Sequence, residues 1–307
     1  MASSVLVTGA SGFVGRAVVC DLLSRGFSVN VLVNQKPLNM AGNIRSFTGG
    51  LFDAAALDAG LNGCQAAIHL VGIIMENPKK GITFEKIHFE GTRCVVDAAK
   101  RQGVRRFIQM SALGTAANSH STYHKTKWKA DEYVRASGLQ WTIFQPSMIH
   151  GPDGEFMKME AKWARKQAAP YFFMPYFGAG FLGLGGSGKI QPVYVNDVAR
   201  AFVDALGNEK TIEKNYGVAG ADVMTWPQMH KMVARAILGK NRLTAPIPAW
   251  YAKLLTKIVP ASLLPFNYDQ VIMSQEDNTC GMSEFERVFS WKPRGFESTL
   301  KQYASRL

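Results

Sequence analysis

Short apolar runs alternate with longer amphipathic segments through the first half of the chain. The apolar runs cover residues 5–7, 29–33, 66–71, 106–110 and 141–144, and helical spacing covers 13–25, 53–60, 83–102 and 122–137. Short strands separated by helices are typical of βαβ units, and strands that are apolar throughout indicate a sheet covered on both faces. The pattern predicts an α/β domain over residues 1–150, built on a doubly wound parallel sheet.

The pattern becomes less regular after residue 150. It predicts helices at 154–168, 225–238, 283–289 and 296–305, a strand at 215–219, and a strand followed by a helix in QPVYVNDVARAFVDAL. Asn196 or Asp197 would cap that helix, because both residue types favour helix starts. We therefore expect residues 151–307 to form a smaller mixed lobe for substrate or partner, interleaved with late strands of the main sheet.

The composition is that of a globular protein, with 47% hydrophobic and 19% charged residues. The four cysteines include no CxxC pair, which predicts buried free thiols in a reducing compartment. The histidines lack metal-ligand spacing, so no metal site is predicted. Without a long apolar stretch or a basic N-terminal flank, neither a transmembrane helix nor a signal peptide is expected. We expect a cytoplasmic protein.

The net charge of +12 is spread over both halves of the chain. No nucleic-acid-binding motif accompanies it, so nucleic acid is not an expected partner. Phosphate-bearing ligands or an anionic membrane surface explain the charge with fewer assumptions. Membrane contact would then be peripheral, on the cytoplasmic face. The oligomeric state does not follow from the sequence.

Three glycines follow the first predicted strand in TGASGFVGR. Gly9, Gly12 and Gly15 stand between that strand and a predicted helix. A tight turn of this kind lets the backbone approach a pyrophosphate, and the start of a helix favours its negative charge. The context predicts the dinucleotide-binding loop of a Rossmann domain, although a purely structural turn is the alternative.

The end of the second predicted strand bears on which dinucleotide is bound. NAD-binding domains place a carboxylate there for the ribose hydroxyl, whereas this chain reads VLVNQK, with Asn34 and Lys36. Arg16, after the last glycine, could face a 2′-phosphate. These residues favour NADP(H) over NAD(H), unless the two cations are simply solvated.

Ser111, Tyr123 and Lys127 form a second constellation. Ser111 ends the predicted strand FIQMS, and YHKTK places the tyrosine and lysine four apart, on one face of a helix. An ammonium and a bound nicotinamide ribose would favour tyrosinate, so that the phenol exchanges a proton with a substrate oxygen while hydride moves. Ser111 would orient that oxygen. A surface tyrosine–lysine pair is the alternative.

The motifs TGASGFVG, SALG, YHKTK and SGLQWTIFQPSMIHGP, in that order, resemble the extended or atypical branch of the short-chain dehydrogenase/reductase superfamily. LPFNYDQVIMSQEDNT and FESTLKQY resemble the subgroup that contains the nucleotide-binding accessory subunit of mitochondrial complex I and its bacterial relatives. The resemblance implies cofactor on the three glycines and catalysis by Ser111, Tyr123 and Lys127. It places Pro146, Ser147 and Met148 near the nicotinamide. The set of candidate cofactor contacts also includes Ser11, Phe13, Val14, Arg16, Asn34, Lys36, Leu51, Phe52, Leu70, Val71, Gly72, His88, Tyr123 and Lys127.

The chain departs from this branch at three positions. Gln145 replaces an arginine, which weakens the case for a nucleotide-sugar substrate. Leu51 stands where an aspartate near the adenine is usual, with Asp53 two residues later. His88 replaces an asparagine in the long helix, which puts a standard proton relay in doubt.

Two segments bear on the substrate and the partner. PYFFMPYFGAGFLGLGG is predicted to be a lid over an apolar substrate, a lipid-facing patch or a packed part of the smaller lobe. AWYAKLLTKIVP is an amphipathic helix that faces a membrane, a partner or that lobe. The leading hypothesis is an NADP(H)-dependent oxidoreductase acting on a small apolar, quinone-like carbonyl or hydroxyl compound. A non-catalytic NADPH-binding subunit of a complex-I-type assembly and a nucleotide-sugar epimerase or dehydratase are the alternatives.

Overall fold

The computed structural model describes residues 3–34, 38–260 and 264–307. Its strands are β1 Ser4–Thr8, β2 Ser28–Val33, β3 Ile44–Thr48, β4 Ala66–His69, β5 Arg106–Met110, β6 Gln140–Pro146, β7 Ile149–His150, β8 Met174–Gly178, β9 Lys189–Ile190, β10 Val193–Tyr194, β11 Lys214–Val218, β12 Met224–Thr225 and β13 Thr244–Pro248. Its α-helices are α1 Phe13–Ser24, α2 Ala54–Leu61, α3 Gly91–Arg101, α4 Thr122–Arg135, α5 Glu155–Ala164, α6 Val195–Leu206, α7 Trp226–Leu238, α8 Ala249–Ile258, α9 Tyr268–Met273, α10 Ser283–Phe289 and α11 Phe296–Lys301.

The chain divides into two compact units. Unit 1 comprises residues 1–146, 195–218 and 282–291, and unit 2 comprises residues 147–194, 219–281 and 292–307. Unit 1 therefore takes two segments from the second half of the sequence.

Unit 1 is built on a seven-stranded sheet in the order β11-β6-β5-β4-β1-β2-β3. All neighbouring strands are parallel. The strand order reverses at β1, so the carboxyl ends of β1 and β4 border a crevice of the kind in which doubly wound sheets bind ligands. This architecture confirms the predicted fold class.

The edge strand β3 was missing from the sequence-based prediction. Its five residues, IRSFT, include no buried side chain, because the strand lies at the sheet edge. It therefore lacks the apolar run by which the central strands were recognised. β4 ends at His69, so Leu70 and Val71, predicted as strand, lie in the loop that follows.

Two further sequence-based predictions were wrong in detail. Helix α6 begins at Val195, so Asn196 and Asp197 lie inside its first turn and neither precedes it as a cap. Among the cysteines, which are all free, only Cys64 is buried, whereas Cys20 is exposed because it lies on the outer side of α1.

The start of β5 is tied to its neighbours by a buried arginine. The Arg106 guanidinium donates to the carbonyl oxygens of Gln140 and Ala205 and to the hydroxyls of Thr142 and Thr211, at 2.6–2.8 Å. These bonds join β5, β6 and α6 within unit 1. Burial lowers the pKa of Arg106 to about 10, so the side chain remains a cation at neutral pH.

Unit 2 contains three two-stranded sheets, which pair β7 with β10, β9 with β12 and β8 with β13. Helices α5 and α7 are joined by a buried pair, His230 Nδ1 and Glu160 Oε2, at 2.8 Å. The other ring nitrogen of His230 lies 3.1 Å from the Pro175 carbonyl oxygen in β8. The pair therefore links two helices and a strand.

Over the three described ranges, the structure contains no helix that is both long and apolar enough to cross a bilayer.

Candidate functional site

The turn from β1 to α1 is closed by close backbone contacts. Gly9 has a φ of +76°, and a Cβ there would lie 3.2 Å from the backbone at Leu70 and Val71. A Cβ on Gly15 would lie 2.1 Å from the Gly9 carbonyl oxygen, so no larger residue fits there. The Gly12 N–H donates to the same Gly9 oxygen at 3.0 Å. The turn is thus held against the loop after β4.

The N-terminus of α1 has the properties of an anion site. Gly12 is the N-cap and makes no side-chain capping bond, and the first turn, which includes Phe13 and Val14, contains no acidic residue. The first N–H groups of a helix lack partners within the helix and carry its partial positive charge. A diphosphate fits this cradle, as the glycine spacing predicts.

The next part of the crevice is formed by the ends of β2 and β3. Asn34 is exposed at the end of β2, and its Nδ2 lies 3.8 Å from the position of a Cβ on Gly50. Leu51 is buried and approaches α3, and Phe52 is exposed, with the Lys86 Nζ 5.4 Å from its ring centre.

The carboxylate that the described residues place in this region, Asp53, is used as a helix cap. The Asp53 side chain accepts the Ala56 N–H at 3.0 Å and so caps α2. Arg16 is exposed on the first turn of α1. Lys36, a predicted cofactor contact, lies outside the described residues.

The floor between β4 and α3 contains a neutral histidine. His69 is buried, with Nδ1 2.5 Å from the Thr8 hydroxyl and Nε2 3.1 Å from the Thr92 hydroxyl. Burial, followed by the charge of Lys127, lowers the pKa of His69 to about 3. Both ring nitrogens are bonded inside unit 1, so His69 joins β1 to α3 and is not turned toward a ligand.

Tyr123 and Lys127 lie on one face of α4, as predicted. The Lys127 side chain is 2% exposed, and its Nζ donates to the Met110 carbonyl oxygen at 3.0 Å. The Nζ also lies 3.1 Å from the position of a Cβ on Gly72, in the loop after β4. The ammonium therefore adjoins the same loop as the glycine turn. Burial lowers the pKa of Lys127 to about 8, against the opposing effect of Asp131.

The surroundings of the Tyr123 phenol raise its pKa. Burial, and secondarily the charge of Asp131, raises its pKa to about 12. The sequence-based expectation, a tyrosinate favoured by the Lys127 ammonium together with a bound nicotinamide ribose, stays a prediction. In the protein alone, burial disfavours the phenolate, and the carboxylate of Asp131 adds to that effect.

Ser111 is engaged by that same carboxylate. Its hydroxyl donates to Asp131 Oδ2 at 2.6 Å, and both residues are buried. Within the described part of the chain, Asp131 Oδ1 has no hydrogen-bond partner. Burial raises the pKa of Asp131 to about 6. The signal that could have identified Asp131 is the continued spacing of four residues after Tyr123 and Lys127.

His88 connects the loop after β4 to α4. The Ile73 N–H donates to His88 Nε2 at 3.1 Å, and Nδ1 lies 2.9 Å from the Thr126 hydroxyl. Thr126 in turn donates to the Tyr123 carbonyl oxygen at 3.0 Å. Burial, and then Lys127, lowers the pKa of His88 to about 2. The ring is thus neutral, and it contacts the Tyr123 ring edge-on, with centroids 5.0 Å apart.

The predicted nicotinamide contacts fall in different units. Pro146 ends β6 in unit 1, and its carbonyl oxygen accepts the Leu113 N–H at 3.0 Å. Ser147 and Met148 belong to unit 2. There the Ser147 hydroxyl donates to the Gln191 carbonyl oxygen, and the Met148 N–H donates to Asn278 Oδ1.

The structure thus brings together Gly9, Gly15, Leu70, Val71, Gly72, His88, Tyr123 and Lys127 around the loop after β4. In the three described ranges, no group of three or more histidine, cysteine and acidic side chains is arranged to hold a metal ion.

Comparison with known proteins bears on the fold and on the class of cofactor. The model of a family described as NAD(P)H-binding matches residues 9–164, just over half of the chain. The mitochondrial NADH dehydrogenase [ubiquinone] 1 alpha subcomplex subunit 9 of Arabidopsis thaliana is 28% identical over 275 residues, and the match covers 79% of this chain but 65% of that protein. This chain therefore spans slightly less than two thirds of that relative.

A bacterial relative and a solved structure extend the comparison. The ceramide reductase of Caulobacter vibrioides is 28% identical over 243 residues, covering 78% of this chain and 72% of that protein. The structure of MoeE5 in complex with UDP-glucose and NAD superposes with a TM-score of 0.75 and 16% identity, covering 99% of this chain and 98% of that one. At this identity the superposition shows the shared fold.

Proposed function

Because the chain belongs to the NAD(P)H-binding family, we propose that it is an NADP(H)-dependent oxidoreductase of the short-chain dehydrogenase/reductase type. The observation that carries the proposal is the buried Lys127 ammonium beside Gly72, with Tyr123 one helical turn away on the same face of α4. These groups adjoin the loop against which the glycine turn packs, where a nicotinamide bound through its diphosphate would extend.

Each residue has a chemical role in this proposal. When bound, NADPH supplies the hydride that adds to the carbonyl carbon of the substrate. The Tyr123 phenol donates a proton to the carbonyl oxygen, which its raised pKa permits at neutral pH. Lys127 stabilises the phenolate left behind, and its N–H groups not used by Met110 can bind ribose hydroxyls. His88 fixes the start of α4 through Thr126.

The substrate class in the proposal is a small apolar carbonyl or hydroxyl compound, quinone-like compounds included. Phe84 contacts Tyr123 edge-on at 5.7 Å, and Ile74 and Met75, just beyond Gly72, expose apolar side chains. A relative named ceramide reductase supports the apolar character of the substrate. Gln145 offers no cation for the phosphates of a nucleotide sugar.

Turnover by the full chain tests the enzyme proposal. We expect NADPH oxidation with at least one member of a panel of apolar ketones, aldehydes and quinones, and a loss of at least a hundredfold in kcat in Tyr123→Phe. The variant should bind NADPH as tightly as the parent. Tyr133→Phe is the matched control: it removes a phenol hydroxyl from α4, the helix of Tyr123, that donates to Asp97 on α3, and it should retain activity. Equal turnover by Tyr123→Phe and the parent would contradict the proposal.

The proposed preference for NADP(H) has a separate test. Asn34 at the end of β2, exposed Arg16 and the engagement of the Asp53 carboxylate as the cap of α2 support it. Asn34→Asp should shift the ratio of NADPH to NADH affinity toward NADH by about tenfold, because the new carboxylate binds a ribose hydroxyl and repels a phosphate. An NADH preference in the parent chain, unchanged by this substitution, would refute it.

A non-catalytic role is the second candidate: a cofactor-binding subunit of a respiratory assembly. The engagement of the Ser111 hydroxyl by Asp131 favours it, because a serine that donates to a carboxylate cannot donate to a substrate carbonyl. The name of the Arabidopsis relative points the same way. Tightly bound NADPH that no substrate in the panel oxidises, together with co-purification in a membrane complex, would support this role and reject the enzyme.

A further inference from the structure

Unit 2 exposes large apolar side chains in two segments far apart in sequence. One segment is the loop after β8, and the other is α8. Phe181 is 79% exposed and Ile258 is 69% exposed. We call the following six residues the apolar face: Phe181, Leu182, Leu184, Trp250, Leu254 and Ile258.

Direct contacts join the two segments. Phe181 and Trp250 stack with ring centroids 5.8 Å apart, and the Trp250 indole N–H donates to the Phe181 carbonyl oxygen at 2.9 Å. β8 and β13, which precede the loop and the helix, run parallel as a pair. The loop and the start of α8 are therefore held side by side at one end of this sheet.

Helix α8 is attached to unit 2 by a face other than its large apolar one. Ala249 and Ala252 are buried in a cluster with Val271. Trp250, Leu254 and Ile258 are spaced by four residues and form an exposed stripe along the helix. The helix therefore packs on its own unit through its alanines and through Trp250, and leaves Leu254 and Ile258 largely exposed.

The sequence stretches that contain the loop and α8 carry basic residues and no acidic ones. Lys253 and Lys257 lie on α8 beside the exposed stripe, and Lys257 is itself exposed. No acidic residue occurs between Glu160 and Asp197 or between Asp222 and Asp269, the stretches that contain the loop and the helix. An apolar stripe flanked by lysines is typical of helices that lie in the interface of an anionic bilayer.

We propose that the apolar face docks unit 2 on an anionic lipid bilayer. The loop and the α8 stripe would enter the boundary between headgroups and acyl chains, while Lys253 and Lys257 would bind lipid phosphates. The charge complementarity favours this occupant over a second copy of the chain, whose own apolar face has the same positive flanks. The inference concerns unit 2 alone and stands whether or not unit 1 turns over its cofactor.

Flotation of the full chain with vesicles tests this proposal. One set of vesicles is phosphatidylcholine alone, and the other is phosphatidylcholine with phosphatidylglycerol. We expect binding to the anionic set only, weakened by salt. Lys253→Gln with Lys257→Gln should reduce partitioning roughly thirtyfold, because each lysine near an anionic surface contributes about a fivefold factor. Leu254→Gln with Ile258→Gln should abolish binding at low salt.

Lys100→Gln with Lys210→Gln, in unit 1, is the matched charge control and should bind as the parent does. Unchanged NADPH affinity and an unchanged urea midpoint show that each variant is folded. The proposal is overturned if the anionic vesicles do not bind the chain, or if the Lys100 and Lys210 control loses as much binding as the α8 lysine variant. It is also overturned if the Leu254 and Ile258 variant binds normally but loses self-association.

Discussion

At the scale of single residues, Asp131 connects the chemistry of Ser111 to that of Tyr123 and Lys127. Its buried carboxylate accepts the serine hydroxyl, raises the pKa of the phenol and opposes the desolvation of the ammonium. Its ionisation state therefore affects three groups. The pKa of Asp131, about 6, is above its ordinary value of 3.8 because burial disfavours the charged form.

This raised pKa predicts a pH-dependent stability. The folded chain binds a proton that the unfolded chain releases, so stability from Asp131 is greatest below pH 3.8 and is lost as the pH rises to about 6. The loss is roughly 3 kcal/mol for a shift of this size. Asp131→Asn should remove this component, which urea unfolding from pH 4 to 7 would measure as a difference from the parent.

The exposed neighbour provides the control for that measurement. Glu132→Gln changes an adjacent carboxylate that is exposed, and its profile should parallel that of the parent. If the unfolding free energy of Asp131→Asn follows the same pH profile as that of the parent, folding does not raise the pKa of Asp131.

At the scale of elements, the junction between β1 and α1 determines whether the crevice can accept a diphosphate. Gly15 has no space for a side chain, because the Gly9 carbonyl oxygen lies where a Cβ would be. Any residue there must displace the turn from the loop after β4. The anion site and the close packing of α1 on β1 therefore depend on the same residue.

Gly15→Ala should thus weaken NADPH binding by at least tenfold, because the helix start moves away from the phosphates. Titration calorimetry with the folded variant would measure the change. Gly207→Ala is the control, because a Cβ there meets nothing within 4 Å. Parent-like affinity in Gly15→Ala would mean that the phosphates are bound elsewhere.

The buried pair in unit 2 makes a second prediction at this scale. Glu160→Ala should lower the unfolding free energy by about 2 to 3 kcal/mol, because it leaves a buried His230 nitrogen without its acceptor. Lys158→Ala, which breaks the exposed pair with Glu155 on the same helix, should change it by less than about 1 kcal/mol. Urea unfolding measures both losses. Equal losses of unfolding free energy in the two variants would show that the buried pair stabilises unit 2 no more than an exposed pair does.

Sequence patterns predicted these elements unevenly. The five central strands were found because each is a run of buried residues. The glycine turn was found because Gly9 and Gly12 precede a helix whose first turn contains Gly15. β3 was missed because this edge strand buries none of its side chains and so lacks an apolar run. Asp131 was missed because its partner Ser111 lies twenty residues away in sequence, so that only the tertiary fold reveals the hydrogen bond.

At the scale of the whole molecule, unit 1 is completed by residues far along the chain. β11 pairs with β6, α6 packs on α1, and Arg25, the residue after α1, pairs with Asp204 on α6 at 2.6 Å. The buried Arg106 depends on Ala205 and Thr211 for two of its acceptors. The first 150 residues, treated as a domain in the sequence analysis, lack all of these partners.

A fragment of residues 1–150 should therefore not fold cooperatively. Without α6 and β11, one face of α1 and one edge of β6 are exposed, and the Arg106 cation loses buried acceptors. Circular dichroism during urea titration should show a broad transition for the fragment and a sharp one for the full chain. A sharp transition with NADPH binding by the fragment would show that residues 1–150 suffice.

The most direct test of the proposed reaction is to follow the hydride itself. The full chain is mixed with NADPH deuterated at the transferred position and with an apolar ketone, and the product is examined by mass spectrometry. We predict an alcohol that carries one deuterium from the parent chain and none above background from Tyr123→Phe. A parent chain that binds the deuterated NADPH tightly and yields no labelled product across the substrate panel would contradict the account.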